Sequence, residues 1–273
     1  MKTIVFANNK GGCGKTTTAL NVAVTLAMQG HKVLAVDLDQ QGNLSDALGA
    51  DLPTLEDSRL TSYRMLLDEK KDYSVFLFNN PERPRLDVIP AVLDDEADTL
   101  LEGAQVSKEL LLRQKLDPAR KVYDYCVIDT PPALRAPTLN ALATSDLTIV
   151  PIEASRFALL GLSQLLRKIS KVRRIHRPTM GLMALLSMYT ARQTLDRDTR
   201  DAVIGEFGED LVFHATIPDV TAIGKASVLR QAVVEASPDI PAAFAFRKLV
   251  AEIIEVLSDD EQAEEGQSSR RSQ

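Results

Sequence analysis

Seven short runs of apolar and β-branched residues punctuate the chain as continuous blocks, with no polar/apolar alternation: Thr3–Ala7, Lys32–Leu38, Leu86–Pro90, Val122–Asp129, Leu147–Ile152, Met180–Ser187 and Leu211–Ile217. A strand with one face in water alternates. A strand that is apolar at consecutive positions must be covered on both faces. The intervening segments have helical length, so the chain predicts repeated βα units: an α/β fold with a doubly wound, mostly parallel sheet and helices on both faces. No internal repeat and no linker rich in Pro, Gly or Ser divides these blocks, so residues 1–257 read as one domain. Within it, 51–85 reads as an irregular insertion beside the sheet, with a short helical pattern over Thr61–Glu69 and an Asn79–Arg85 turn cluster. After an amphipathic helix over about Ala243 to Leu257, residues 258–273 carry nothing to anchor them and are expected to form a disordered acidic and polar tail.

Composition bounds the function. Among 273 residues, 32 basic and 38 acidic side chains leave a net charge of −6, which argues against a protein coated in nucleic acid but not against a local basic patch. Cys13 and Cys126, far apart in sequence, suit a reducing cytoplasm and offer no zinc-binding pair. The start, MKTIVFANNKGG, has no basic segment followed by a long apolar one. No run of 18 apolar residues occurs, so neither a signal peptide nor a membrane span is expected.

The first apolar run leads into Asn8-Asn9-Lys10-Gly11-Gly12-Cys13-Gly14-Lys15-Thr16-Thr17 and then an amphipathic helix over Thr18–Gln29. A strand, a glycine-rich turn and a helix N-terminus gather backbone N–H groups around one anion, and the glycines let a phosphate approach. Lys15 is placed to reach β- and γ-phosphates, and the Thr16 hydroxyl to bind Mg²⁺. The pattern departs from GxxxxGK[ST] because Asn9 stands where the first glycine belongs, and a second lysine, Lys10, opens the loop. Cys13 fills the one variable position, either as a small loop filler or as a thiol whose pKa the helix terminus lowers. Two further apolar runs end in carboxylates, Asp37-Leu38-Asp39-Gln40-Gln41-Gly42-Asn43 and Asp129-Thr130-Pro131-Pro132. Ligands of open α/β sheets bind at the carboxyl ends of strands, where an Asp serves Mg²⁺ directly or through water or merely caps a turn.

These segments, KGGCGKTT, DLDQQGN and YDYCVIDTPP, resemble the deviant Walker A, switch I and Walker B/switch II motifs of the ParA/MinD superfamily of P-loop ATPases. PIEASRFALLGLSQLLRKI, GLMALLSMYTARQTLDRD and Ile217-Pro218 resemble the ParA branch, so the similarity spans roughly 1–257. The resemblance implies a Rossmann-like P-loop NTPase fold and a Mg²⁺-dependent ATPase of low basal rate. It implies nucleotide contacts from Lys10, Gly11, Gly12, Cys13, Gly14, Lys15, Thr16 and Thr17, with Met188 and Pro218 near the adenine. Lys10 becomes the signature lysine that touches the partner's phosphates across a sandwich dimer, and Asp39 the carboxylate that polarises the attacking water. Thr16, Asp39 and Asp129, partly through water, become the Mg²⁺ residues. The resemblance further implies a homodimer in the ATP state, non-specific binding to nucleoid DNA, a ParB-like or cargo-adaptor protein that stimulates hydrolysis, and a cytoplasmic, nucleoid-associated location.

Between Ala154 and Leu195 there is no acid, but there are eight cations: Arg156, Arg167, Lys168, Lys171, Arg173, Arg174, Arg177 and Arg192. On a helix over about Ala158 to Ile175, Leu162, Leu165, Leu166, Ile169 and Val172 form the apolar stripe, and Arg167, Lys171 and Arg174 lie on another face. Such a row either tracks DNA phosphates or is a solvated face paired with acids from elsewhere. Members of the ParA branch often carry basic residues just after the Ile-Pro step. Here Asp219 stands there and Lys225 follows, so the candidate DNA contacts are Arg167, Lys171, Arg174, Arg192 and Lys225. The acidic end of the chain disfavours the lipid-anchoring helix of the MinD branch, and with the P-loop strand starting at residue 3 the N-terminal helix-turn-helix domain of large ParA proteins is not expected here, so that function would have to come from another chain. The reading is a partition or positioning ATPase for a plasmid, chromosome region or protein cargo. The alternatives are a metabolic ATP-dependent enzyme, such as a cobyrinate-type amidase or dethiobiotin synthetase, and an ATP-gated scaffold.

Overall fold

The computed structural model describes residues 1–103, 108–153, 158–190 and 193–271. Seven strands among them form one sheet in the order β3-β4-β2-β5-β1-β6-β7. These are β1 (Lys2–Phe6), β2 (Val33–Asp37), β3 (Phe78–Asn79), β4 (Leu86–Ile89), β5 (Tyr125–Asp129), β6 (Leu147–Glu153) and β7 (Gly181–Ser187). All neighbours run parallel except β3, which pairs antiparallel with β4.

Successive residues of one strand serve opposite layers, which is why the strands are apolar throughout. In β1, Val5 joins Leu34, Ile128 and Val150 on one face, while Ile4 and Phe6 join Val33, Val127 and Ile149 on the other. The first face is covered by α4 (Ser62–Leu67), α5 (Asp95–Gly103), α6 (Leu111–Leu116), α7 (Ala136–Thr144), α8 (Ala158–His176) and α9 (Thr194–Phe207). The second is covered by α1 (Lys15–Met28), α2 (Asn43–Ala47), α10 (Thr221–Val228), α11 (Val233–Ala236) and α12 (Pro241–Arg271). The short α3 (Leu52–Ser58) packs Leu55 against Ala50 and Val92 in a small separate cluster.

The structure departs from the sequence reading at three places. Leu211–Ile217 forms only two isolated bridges to β7, at Val212 and Ile217. Between them the N–H groups of His214 and Ala215 donate to Glu252 of α12 at 2.8 and 3.3 Å, which takes them out of a ladder. Asp51–Arg85 is not merely beside the sheet: it supplies α3, α4 and the edge strand β3, too short to leave a period in the sequence. The last helix does not stop near Leu257 but runs to Arg271.

Candidate nucleotide site

Strand register builds the site before any side chain is considered. Asp37 pairs with Asp129, Phe6 with Asp129, and Glu153 with Ser187, so β2, β5, β1, β6 and β7 end along one edge. The loop after β1 therefore leaves the sheet between two carboxylates on one side and Glu153 and Ser187 on the other. All of these line the carboxyl edge, the binding edge of an open α/β sheet.

The loop is braced from the β6–β7 side. Asn8 Nδ2 donates to the Pro151 carbonyl at 2.6 Å, and Ser187 Oγ donates to the Cys13 carbonyl at 2.7 Å. Gly12 and Gly14 adopt left-handed φ of 74° and 86°, and Gly14 is the N-cap of α1. A Cβ on Gly11 or Gly12 would meet no atom within 4 Å, so both glycines face open space where a phosphate can approach the backbone. Lys15 is nearly buried and its ammonium donates to the Lys10 carbonyl at 3.2 Å. Cys13 is fully buried, and burial pushes its thiol pKa up despite the nearby Lys15, so it acts as a loop filler and not as an activated thiol.

Thr16 and Asp129 meet directly: the Thr16 hydroxyl donates to Asp129 Oδ2 at 2.6 Å. Asp129 Oδ1 is buried and has no hydrogen-bond partner among the described residues. Asp37, equally buried, has both oxygens engaged, Oδ1 by the Asp39 N–H at 3.0 Å and Oδ2 by the Ser45 N–H and hydroxyl at 2.9 and 2.7 Å. Burial raises the Asp37 pKa to about 7, and burial beside the Asp37 charge holds Asp129 well above the usual carboxylate range. Two adjacent desolvated carboxylates, one with a spare oxygen, favour a hard cation. Among the described residues no cluster of three or more His, Cys, Asp or Glu forms a metal cage. Thr16 and Asp129 fit Mg²⁺, which takes one or two protein ligands and completes its shell from phosphate and water. Asp39 is half-buried, and its Oδ1 accepts from the Gln41 N–H at 3.1 Å.

The switch segment turns at Gly42, with φ of 65°. A Cβ there would lie 2.8 Å from the Ala91 carbonyl and 3.3 Å from Leu52. Gly42→Ala is expected to destabilise the fold by about 2 kcal/mol, a fall of about 4–8 °C in Tm for a chain of this size. A melt superimposing on wild type would show that this turn tolerates a side chain.

Met188, itself at φ 53°, and Pro218 come together with Gly14, Thr17 and Val220 around a cleft of about 380 Å³. The structure thus joins the two residues expected near the adenine to the start of α1. Of the basic residues, Arg167, Lys171 and Arg174 line a separate groove of about 630 Å³ between α8 and α9, with Glu206 on its rim. Lys225 is exposed on α10, on the opposite layer, so it is not brought together with that row. Arg177 is not a free surface charge: it pairs with Asp146 and donates to the Ser145 carbonyl. Arg156 and Arg192 lie outside the described residues.

Sequence reasoning passed over Asn8, Ser45, Glu153 and Ser187. Only Glu153 had a readable signal, an acid ending an apolar strand like Asp37 and Asp129. Its carboxylate pairs with the Lys10 ammonium at 2.5 Å.

A family model for an AAA domain matches residues 1–182. The chain is 35% identical over 257 residues to the chromosome partitioning protein ParA of Caulobacter vibrioides, covering 93% of this chain and 94% of that protein. This chain belongs to the ParA family. Within the family it is also 35% identical over 218 residues to the sporulation initiation inhibitor protein Soj of Bacillus subtilis, covering 80% and 84% of the two chains. Among solved structures, the cobyrinic acid a,c-diamide synthase of Mycobacterium smegmatis with bound ATP analogue and magnesium superposes with a TM-score of 0.77. It is 30% identical and covers 93% of this chain and 94% of its own. Apo McdA from Cyanothece shares the fold of this ParA-family chain, with a TM-score of 0.81 at 24% identity over 93% and 99% of the two chains.

Proposed function

We propose that this ParA-family protein is a Mg²⁺-dependent partition or positioning ATPase whose ATP-bound sandwich dimer holds DNA without sequence preference and releases it on hydrolysis. The observation that carries the nucleotide half is the Thr16–Asp129 contact with its spare buried oxygen beneath an open-faced glycine loop. Lys15 and the loop N–H groups bind the β- and γ-phosphates, Thr16 and Asp129 hold the cation, and Asp39 orients or polarises the attacking water. When bound, Mg²⁺ neutralises charge on the phosphates. Lys10 supplies a positive charge across the dimer, which ties hydrolysis to dimerisation. Met188 and Pro218 flank the adenine. A ParB-like or cargo-adaptor protein stimulates the step, and the working location is the nucleoid in the cytoplasm. No helix among the described residues is long and apolar enough to cross a membrane.

The DNA half rests on α8. Its buried stripe of Leu162, Leu165, Ile169 and Val172 faces the core, so Arg167, Lys171 and Arg174 are exposed in a row. Replacing all three by Glu is expected to weaken binding of the ATP-state protein to unrelated duplexes at least about tenfold, as added salt does to wild type. Gel shifts with ADP and with a non-hydrolysable ATP analogue test this. Tight binding by the triple variant moves the DNA face elsewhere, Lys225 being the next candidate.

The superposition on the diamide synthase supports a second reading, a metabolic ATP-dependent enzyme on this fold. It is separated from the first by ATP-dependent amidation of cobyrinic acid, coupled to fast basal hydrolysis. The partition reading expects slow basal hydrolysis and no amidation.

A further inference from the structure

Lys10 and Glu153 lie 143 positions apart in sequence, and their side chains meet at 2.5 Å within one chain. Both ends of the pair are held. The Lys10 N–H donates to Asn8 Oδ1 at 3.1 Å, and its carbonyl accepts from Lys15 Nζ and Cys13 Sγ at 3.2 and 3.3 Å. Glu153 is the last residue of β6, in register with Ser187, which braces the same loop. With the Lys10 backbone fixed at these points and the Glu153 backbone set by the sheet, the pair is made or broken by rotation of the two side chains. The two side chains are 38% and 31% exposed, so solvent reaches the pair and exchange of partners carries no large desolvation barrier. One ammonium cannot give its full charge to an own-chain carboxylate and to a phosphate across an interface.

We propose that Glu153 is a positioning residue for Lys10: it is an own-chain counter-ion that the lysine must leave as the ATP dimer forms, and it thereby sets how much ATP dimerisation requires. This rests on the trans role of Lys10 proposed above. Two lysines leave two glutamates for each dimer. An exposed ion pair of ordinary strength is worth about threefold in an equilibrium constant, so the pair of exchanges is worth about tenfold.

Light scattering against a non-hydrolysable ATP analogue, with Glu153→Gln, Glu153→Asp and Lys10→Ala, tests this. Glu153→Gln is expected to lower the analogue concentration for half-dimerisation about threefold, because two nucleotides enter each dimer and the tenfold gain in the equilibrium constant acts through its square root, and Glu153→Asp, which keeps the charge, to stay near wild type. Without nucleotide, mass spectrometry should find Lys10 acylated severalfold faster by an amine-directed ester in Glu153→Gln than in wild type. ADP affinity should change less than about twofold. An unchanged analogue requirement overturns the proposal. So does an ADP affinity that tightens by the same factor, which makes Glu153 a general field on the phosphate site, or a Glu153→Asp protein that behaves like Glu153→Gln. Lys10→Ala separates the two layers. If it dimerises like wild type, the trans reading itself falls. If it fails to dimerise while Glu153→Gln matches wild type, only the role of Glu153 falls.

Discussion

Lys15→Ala is expected to weaken ATP binding at least about tenfold and to remove every property that depends on the nucleotide. A charge-assisted contact to phosphate is worth about 1.5–3 kcal/mol, and Lys15 is the nearly buried lysine at the head of α1, its ammonium already turned back along the loop. Its loss acts twice. On the proposed reading the phosphate loses its partner, and Asp129, whose pKa the nearby Lys15 charge lowers, loses a compensating charge, so that carboxylate is protonated more readily. Calorimetric titration measures the change directly. An unchanged affinity would remove the reading of this loop as a phosphate cradle.

The second large effect separates the two residues proposed to act in hydrolysis. Lys10→Ala is expected to bind ATP as a monomer, to fail to dimerise, and to lose hydrolysis by about 10²-fold or more, the scale of losing a cation or oxyanion donor aimed at the transferring phosphoryl group. Asp39→Ala is expected to bind ATP, dimerise and stall, because the nucleophile loses its orienting carboxylate while the interface keeps both lysines. Light scattering with ATP and phosphate release, measured on the same samples, give the two phenotypes opposite signs in dimer and the same sign in turnover. A stable Lys10→Ala dimer, or an Asp39→Ala protein that turns over normally, reassigns the residue concerned.

How much of this was legible without coordinates depends on the range of the interaction. Burial of a residue on a covered sheet depends on the residue itself. The continuous runs at Thr3–Ala7, Leu147–Ile152 and Met180–Ser187 therefore announced a two-faced parallel sheet, and the stripe Leu162, Leu165, Leu166, Ile169, Val172 announced the buried side of α8, of which Leu166 alone stays partly exposed. The glycine-rich loop was equally plain, since such a turn between strand and helix needs only its own neighbours, and Asp37 and Asp129 stood out as polar ends of apolar strands. Contacts between distant segments carry no such local trace. That His214 and Ala215 give their N–H groups to Glu252 and leave the edge of the sheet, that Arg177 is spent on Asp146, and that α8 and Lys225 occupy opposite layers were decided by packing. The same holds for the centre of the site. The sequence names Asp37 and Asp129 alike, but only the register of β2 and β5, with Ser45 closing on one and Thr16 on the other, leaves a spare buried oxygen on Asp129 and none on Asp37. Hydrogen-bond capacity belongs to the residue, but whether it is filled is settled by whatever the fold brings alongside.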